Sequence, residues 1–201
     1  MTHSTGAAVY VSQNGQYIGS VSLADEIRPE AAEVISYLHS KGITTVLLSG
    51  DVPDKVQTLA DQLHIKKVYA QKTPAEKLTV IDTLKAAGPT AMVGDGINDA
   101  PALAKADVGI SLSDSSQVAV QTADVVLMNN GLKQLPLALG LGLHTMKTIR
   151  GNLFWAFAYN VIAIPVAAFG LLTPAVGALA MGLSDVVLAL NSGRLYFKKV
   201  T

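Results

Sequence analysis

The sequence predicts an α/β fold, a doubly wound parallel sheet followed by a transmembrane α-helical hairpin. Three observations carry this. Up to about residue 131, short apolar β-rich runs alternate with amphipathic helical segments, the pattern of strands joined by crossover helices. Two acid-bearing turns, Ser49-Gly50-Asp51 and Gly94-Asp95-Gly96-Ile97-Asn98-Asp99, each follow such a run. They fall at the strand ends, where open α/β sheets bind ligands. Beyond residue 134 come two apolar stretches almost free of charge.

The elements follow in order. Ala8 to Val11 and Tyr17 to Leu23 flank Asn14-Gly15, a strong hairpin signal. Val34, Ile35 and Leu38 have helical spacing between Pro29 and Lys41, and Gly42 supplies the stop. Ile43 to Leu48 reads as a strand buried on both faces. A helix over 53–63 and a short strand near Val68-Tyr69 come next. Pro74 to Ala87 reads as a helix with Thr73 as N-cap and Pro at the first position. Ala91 to Val93 is the strand before Gly94, followed by a short helix and by strands near Val108 to Ile110 and Val125 to Leu127. After Asn130-Gly131, Leu132 to Arg150 reads as a long helix. Asn152 to Leu172 and Pro174 to Leu190 each approach the ~20 residues that cross a bilayer core. Lys147 and Arg150 stand before this pair and Arg194, Lys198 and Lys199 after it, while the link Gly170 to Thr173 has no basic residue. By the positive-inside rule both ends are cytoplasmic.

The bulk numbers bound the function. Of 201 residues 50% are hydrophobic and 15% charged, with mean hydropathy +0.38, too apolar for an ordinary soluble domain. Formal net charge is zero, and no basic patch or recognition motif points to nucleic acid. The chain has no cysteine, which excludes disulfides and thiolate metal sites. Met1 to Gly6 is polar, without the basic-then-apolar pattern of a signal sequence.

The turn at 94–99 suits a hard cation. Mg²⁺ takes oxygen ligands from one or two carboxylates and fills its remaining positions with water or phosphate oxygens. The flanking glycines let backbone bend closely around a ligand. The run therefore suggests Mg²⁺-dependent phosphoryl chemistry, which is mostly positioning and charge stabilisation.

Together with Thr73-Pro74-Ala75-Glu76-Lys77, and in this order, Ser49-Gly50-Asp51 and Gly94 to Pro101 resemble the phosphorylation domain of P-type ATPases, within the haloacid dehalogenase-like superfamily. Asp25-Glu26-Ile27-Arg28-Pro29 resembles the hinge that the family usually writes Asp-Pro-Pro-Arg, with Asp25 and Arg28 matching. The resemblance implies three segments: residues 1–24, a remnant of a nucleotide-binding domain; 25–131, the C-terminal part of the phosphorylation domain; and 132–201, a stalk helix with a two-helix membrane hairpin. It implies a catalytic set of Ser49, Gly50, Asp51, Lys77 and Asn98. Ser49 would donate a hydrogen bond to the phosphoryl group, and Lys77 would neutralise it. Asp95 and Asp99 form the Mg²⁺ set, with Asp95 binding directly and Asp99 and Asn98 ordering its waters or the loop. ATP is the implied substrate.

The family forms an aspartyl-phosphate on an Asp-Lys-Thr-Gly-Thr motif, which these 201 residues do not contain. The expectation is therefore the C-terminal part of a pump, truncated or split, that alone does not hydrolyse ATP by the family route. The two apolar helices resemble the last pair of heavy-metal P-type ATPases, most closely the copper-transporting group. Tyr159, Asn160, Met181, Ser184 and Asp185 are the implied ion path. Met181 suits Cu⁺, whereas Asp185, where the copper pattern has Ser, suits Zn²⁺, Co²⁺ or Mn²⁺. Implied partners are membrane lipid, the missing N-terminal part and a metallochaperone. The implied location is integral membrane, multi-pass, with the α/β domain in the cytoplasm. Two rival readings are a soluble phosphatase, which lacks its Asp-x-Asp nucleophile here, and a non-enzymatic membrane fragment.

Overall fold

The computed structural model describes residues 7–23, 26–129, 131–171 and 173–197. The polar N-terminus, Asp25 of the expected hinge, Asn130, Leu172, Lys198 and Lys199 lie outside the described residues. The chain divides into two compact units, Met1–Leu135 and Pro136–Thr201.

The first unit opens with a hairpin of β1 (Ala7–Gln13) and β2 (Gln16–Leu23). Its turn has positive φ at Asn14 (51°) and Gly15 (79°), the two-residue geometry that matches strand twist. Next come α1 (Ala31–Ser40), β3 (Val46–Leu48), α2 (Pro53–Gln62), β4 (Lys67–Tyr69) and α3 (Pro74–Ala87). β5 (Ala91–Gly94) leads through a 3₁₀ turn, Ile97–Asp99, into α4 (Ala100–Lys105). β6 (Val108–Leu112), α5 (Gln117–Thr122) and β7 (Val125–Leu127) complete the alternation. All five strands from β3 onward pair in parallel, but in two pieces, β3-β4 and β5-β6-β7. Val93 lies opposite Ile110, and Gly94 opposite Ser111.

The core gathers on one side of each helix. Val34 and Leu38 of α1, Val56 and Ala60 of α2, Val80 and Ile81 of α3, and Ala102 and Leu103 of α4 are buried. Ile81 and Leu103 are among the largest wholly enclosed side chains, each contributing about 1.5–3 kcal/mol by burial. β6 sits tightly against α4: a Cβ at Gly109 would lie 2.6 Å from the Leu103 carbonyl oxygen.

Three sequence expectations are corrected. The strand expected over 43–48 is only three residues long, because β4 offers just three partners and Ile43 remains exposed. α5 is an extra helix, started by Ser116, whose hydroxyl accepts from the Ala119 N–H. The separate stalk and first membrane helices are one helix, α6 (Leu135–Ala168, 34 residues). Glycine within a helix costs about 1 kcal/mol, and helical hydrogen bonding runs through Gly151 without interruption.

In the second unit α6 ends near Gly170 (φ 72°), and α7 (Pro174–Phe197) follows. Apolar spans run over Gly131–Ala168 and Ala175–Leu195, with mean hydropathy 1.4 and 1.5, and the most apolar stretch of each is unburied within the molecule.

Candidate functional site

The loop after β3 is laced to the loop after β4. Ser49 N–H donates to the Tyr69 carbonyl (2.9 Å), Lys72 N–H to the Ser49 carbonyl (3.0 Å) and Gln71 N–H to the Asp51 carbonyl (2.9 Å). Ser49 Oγ donates to Asp51 Oδ2 (3.2 Å) and accepts from the Asp51 N–H (3.1 Å). A Cβ on Gly50 would stand 3.4 Å from the Lys72 carbonyl oxygen, so the backbone there is closely approached.

A capping box starts α3. Thr73 Oγ1 accepts from the Glu76 N–H (3.3 Å), and Glu76 Oε2 accepts from the Thr73 N–H (2.9 Å) and the Thr73 hydroxyl (2.8 Å). The Thr73 N–H above all, then its hydroxyl, holds the Glu76 carboxyl below the ordinary glutamate range. The box places Lys77 one turn into the helix, where its Nζ donates to Asp99 Oδ1 at 2.7 Å. The side chains of this pair are only 11% and 18% exposed.

Asp99 in turn is wrapped by its own loop. A Cβ on Gly94 would come within 2.9 Å of Asp99 Cβ, and one on Gly96 within 3.5 Å of Asp99 Oδ2. Only glycine at 94 leaves this carboxylate room. Asp95, by contrast, is 60% exposed, with Arg28 3.8 Å away. Its carbonyl accepts from the Ser116 N–H (3.0 Å), tying the loops after β5 and β6 together. Asn98 lies in the 3₁₀ turn between the two acids.

Arg28 and Asp114 emerge as neighbours of this cluster. The Arg28 guanidinium donates to Asp114 Oδ2 at 3.3 Å as well as reaching Asp95. The sequence marks Arg28 as a hinge residue and gives no role to Asp114. The polar run Ser113 to Ser116, directly after an apolar strand, was the signal that strand-end reasoning would have used. Among the described residues, no hydrogen bond or ion pair joins the Ser49–Asp51 loop to the Lys77–Asp99 cluster.

The donor set fits Mg²⁺. It offers an accessible carboxylate at Asp95, a second at Asp99 with one oxygen engaged by Lys77, and only oxygen ligands. The described residues hold no group of three or more ligand side chains of the kind that would cage a metal outright. Mg²⁺ prefers such sparse sites, completed by water and phosphate.

In the second unit Asn152 Nδ2 donates to Ser192 Oγ (2.9 Å), and Asn191 Nδ2 donates to Asn152 Oδ1 (2.7 Å). From this antiparallel clasp, seven residues forward on α6 and seven back on α7 bring Tyr159 level with Ser184 and Asp185, about 10 Å along the hairpin. Asn160 Nδ2 is turned to its own helix, donating to the Ala156 carbonyl (2.8 Å). Met181 is 63% exposed. Among the described residues no hydrogen bond joins the Tyr159–Asn160 pair to Met181, Ser184 or Asp185.

The parallel sheet, the acid-bearing strand-end loops and the glycine-cradled carboxylate belong to one class of protein. The chain is a member of the haloacid dehalogenase-like hydrolase family, whose model matches residues 3–107. Over most of its length it is similar to heavy-metal P-type ATPases. It is 42% identical over 189 residues to a copper-exporting P-type ATPase of Mycobacterium leprae, covering 94% of this chain and 24% of that protein. It is 45% identical over 188 residues to a cation-transporting P-type ATPase B of the same organism, covering 93% of this chain and 25% of the relative. A zinc-transporting PIB-type ATPase, solved in its E2.Pi state, superposes with a TM-score of 0.83 at 34% identity, covering 94% of this chain and 31% of that one. The chain thus spans about a quarter of the length of the curated relatives it matches.

Proposed function

We propose that this chain supplies part of the phosphorylation domain and two membrane helices of an ATP-driven heavy-metal pump, and that the pump exports Cu⁺ through an aspartyl-phosphate. The largely enclosed Lys77–Asp99 pair, with the open Asp95 carboxylate on the same loop, carries the reading. A buried ammonium held 2.7 Å from a carboxylate is a fixed positive charge, suited to a transferring phosphoryl group. Ser49 exchanges its Asp51 partner for a phosphoryl oxygen. Asp95 would hold Mg²⁺, and Asp99 and Asn98 would order the loop around it. When bound, Mg²⁺ neutralises charge on the phosphoryl oxygens. The acceptor Asp of an Asp-Lys-Thr-Gly-Thr segment comes from outside these 201 residues, so the chain alone turns over no ATP by this route. Both basic flanks of the hairpin lie on the cytoplasmic side with the α/β unit, and a metallochaperone delivers the cargo.

Met181, with Tyr159, Asn160 and Ser184, favours Cu⁺, as do the names of the copper-exporting relatives. A divalent cargo such as Zn²⁺ or Co²⁺ is the second reading. Asp185 favours it, as does the zinc-transporting structure. The test joins this chain to the upstream half of a related copper pump and assays ATP hydrolysis in detergent against Cu⁺, Ag⁺, Zn²⁺ and Co²⁺. Stimulation by Cu⁺ and Ag⁺, lost in Met181→Ala, is the expected result. Stimulation by Zn²⁺ or Co²⁺, lost in Asp185→Ala, moves the assignment to a divalent pump. No turnover with any metal, when the same upstream half is active with its own C-terminal part, leaves a non-enzymatic fragment.

A further inference from the structure

The membrane unit holds a second polar feature, away from the ion path. Beside the Asn152–Asn191–Ser192 clasp lies a hollow of ≈ 330 Å³ whose lining includes Lys147, Thr148, Gly151, Asn191 and Arg194. Next to it lies a groove of ≈ 310 Å³ walled mainly by Val187, Leu188 and Leu190. Trp155, Asn191 and Arg194 line both, so the basic hollow continues into the apolar groove. The clasp holds both helices at this level through hydrogen bonds of 2.7 and 2.9 Å. Neither Lys147 nor Arg194 has a carboxylate within ion-pair distance among the described residues. The only acid in α6 or α7 is Asp185, two and a half turns before Arg194.

We propose that this pair of hollows binds one anionic phospholipid, its phosphodiester in the basic hollow and an acyl chain along the groove. The inference rests on reading α6 and α7 as membrane-embedded. Two cations with no carboxylate partner among the described residues repel a metal cargo and the choline or ethanolamine ammonium of a zwitterionic lipid, and they attract a headgroup with net negative charge. Each such basic residue near a membrane surface contributes about 1 kcal/mol toward anionic lipid. Trp155 is a residue type that settles at the headgroup level. The basic hollow lies at the small end of the ~300–1,000 Å³ that ligand sites occupy, enough for a phosphate with its glycerol. The two hollows together offer what an amphiphile needs, a charged end and an apolar channel in contact.

The test uses the full 201-residue chain in membranes and then in mild detergent. Alkaline carbonate first asks whether it stays in the bilayer. Release would overturn the membrane reading and the proposal with it, and is distinguishable from a failure of lipid choice. The detergent-held protein is then offered equal phosphatidylglycerol and phosphatidylcholine, and the retained lipid is counted by native mass spectrometry. The expected result is one retained phosphatidylglycerol, with preference falling roughly fivefold for each charge removed in Lys147→Gln and Arg194→Gln. Arg194→Lys should keep most of it, and Arg150→Gln, outside the hollow, should leave it intact. Circular dichroism checks that each variant keeps its helices. Equal retention of both lipids by the unaltered chain overturns the proposal, as does a preference that survives loss of both charges. Displacement of the lipid by millimolar glycerol 1-phosphate overturns the lipid as occupant in favour of a soluble phosphate.

Discussion

Lys77 stands one turn into α3, with its side chain largely enclosed. Enclosing a charge carries a desolvation cost. Asp99, at 2.7 Å, offsets it, so the pair must be kept or lost together. Breaking a buried pair from one side leaves an uncompensated charge and costs about 3–5 kcal/mol. The partial exposure of Asp99, 18%, argues for the lower figure. Lys77→Met in the full chain should therefore speed amide exchange at Val80, Ile81 and Leu103, the buried positions around the pair. Asp95→Asn, at an open carboxylate with Arg28 beside it, should leave those amides unchanged. Unaltered exchange in Lys77→Met would mean the lysine is an ordinary solvated side chain. The residue types at 77, 95 and 99 were legible in the sequence; the division between one enclosed and one open carboxylate was not. That division arises because Gly94 and Gly96 fold the loop back onto Asp99, a tertiary closeness that spacing along the chain does not encode.

Among the elements, α3 was the most readable, and its bounds, Pro74–Ala87, are those the sequence predicts. Its start is written in adjacent residues: an N-cap Thr, a Pro at the first position and a Glu at the third. α5 escaped because its six residues show no usable period, and its cap, Ser116, is one of several polar residues in a row. The fusion of the stalk and first membrane helix escaped for a related reason. A glycine reads as a stop only where φ turns positive, and Gly151 stays helical. At 34 residues, α6 is about 50 Å long, so part of it must extend beyond a ~30 Å hydrocarbon core. The capping box also gives α3 a pH signature. Hydrogen bonds from Thr73 lower the folded-state pKa of Glu76, so its stabilisation is complete above the ordinary glutamate pKa. It fades as pH falls through the lowered value. Exchange protection in the first turns of α3, corrected for intrinsic rate, should thus decline on acidification from pH 7 to about 3. Glu76→Gln should weaken protection at pH 7 and remove most of that decline. A decline of equal size in the Gln variant would assign it to other groups.

At the scale of the molecule, the alternation of strands and helices made the α/β class legible, while the break in the sheet did not show. Each strand run satisfies its own apolar pattern whether or not a neighbour stands on both sides. Val46, Leu47 and Leu48 make an aliphatic strand of the kind that parallel sheets bury on both faces, yet all three are only half-buried. Among the described residues β3 pairs with β4 alone and β5 with β6 alone, so each has one edge of unused N–H and C=O groups. Unpaired edges are ready templates for another strand. The two loops of the candidate site, Ser49 to Asp51 and Gly94 to Asp99, leave the carboxyl ends of these same two strands. A parallel strand added at those edges would deliver its own carboxyl-end residue among Ser49, Lys77 and Asp95, where the proposed mechanism needs an acceptor Asp. Expressing this chain together with the upstream half of a related pump, as two polypeptides, tests the idea directly. Amides in Val46–Leu48 and Ala91–Gly94 should gain exchange protection on association, while those of β6, already paired on both sides, should change little. Upstream halves with the segment around the acceptor Asp deleted should give no such protection even if they still bind through membrane helices. Association that leaves both strand edges as exchangeable as before would mean that the acceptor approaches these loops by a route other than strand addition.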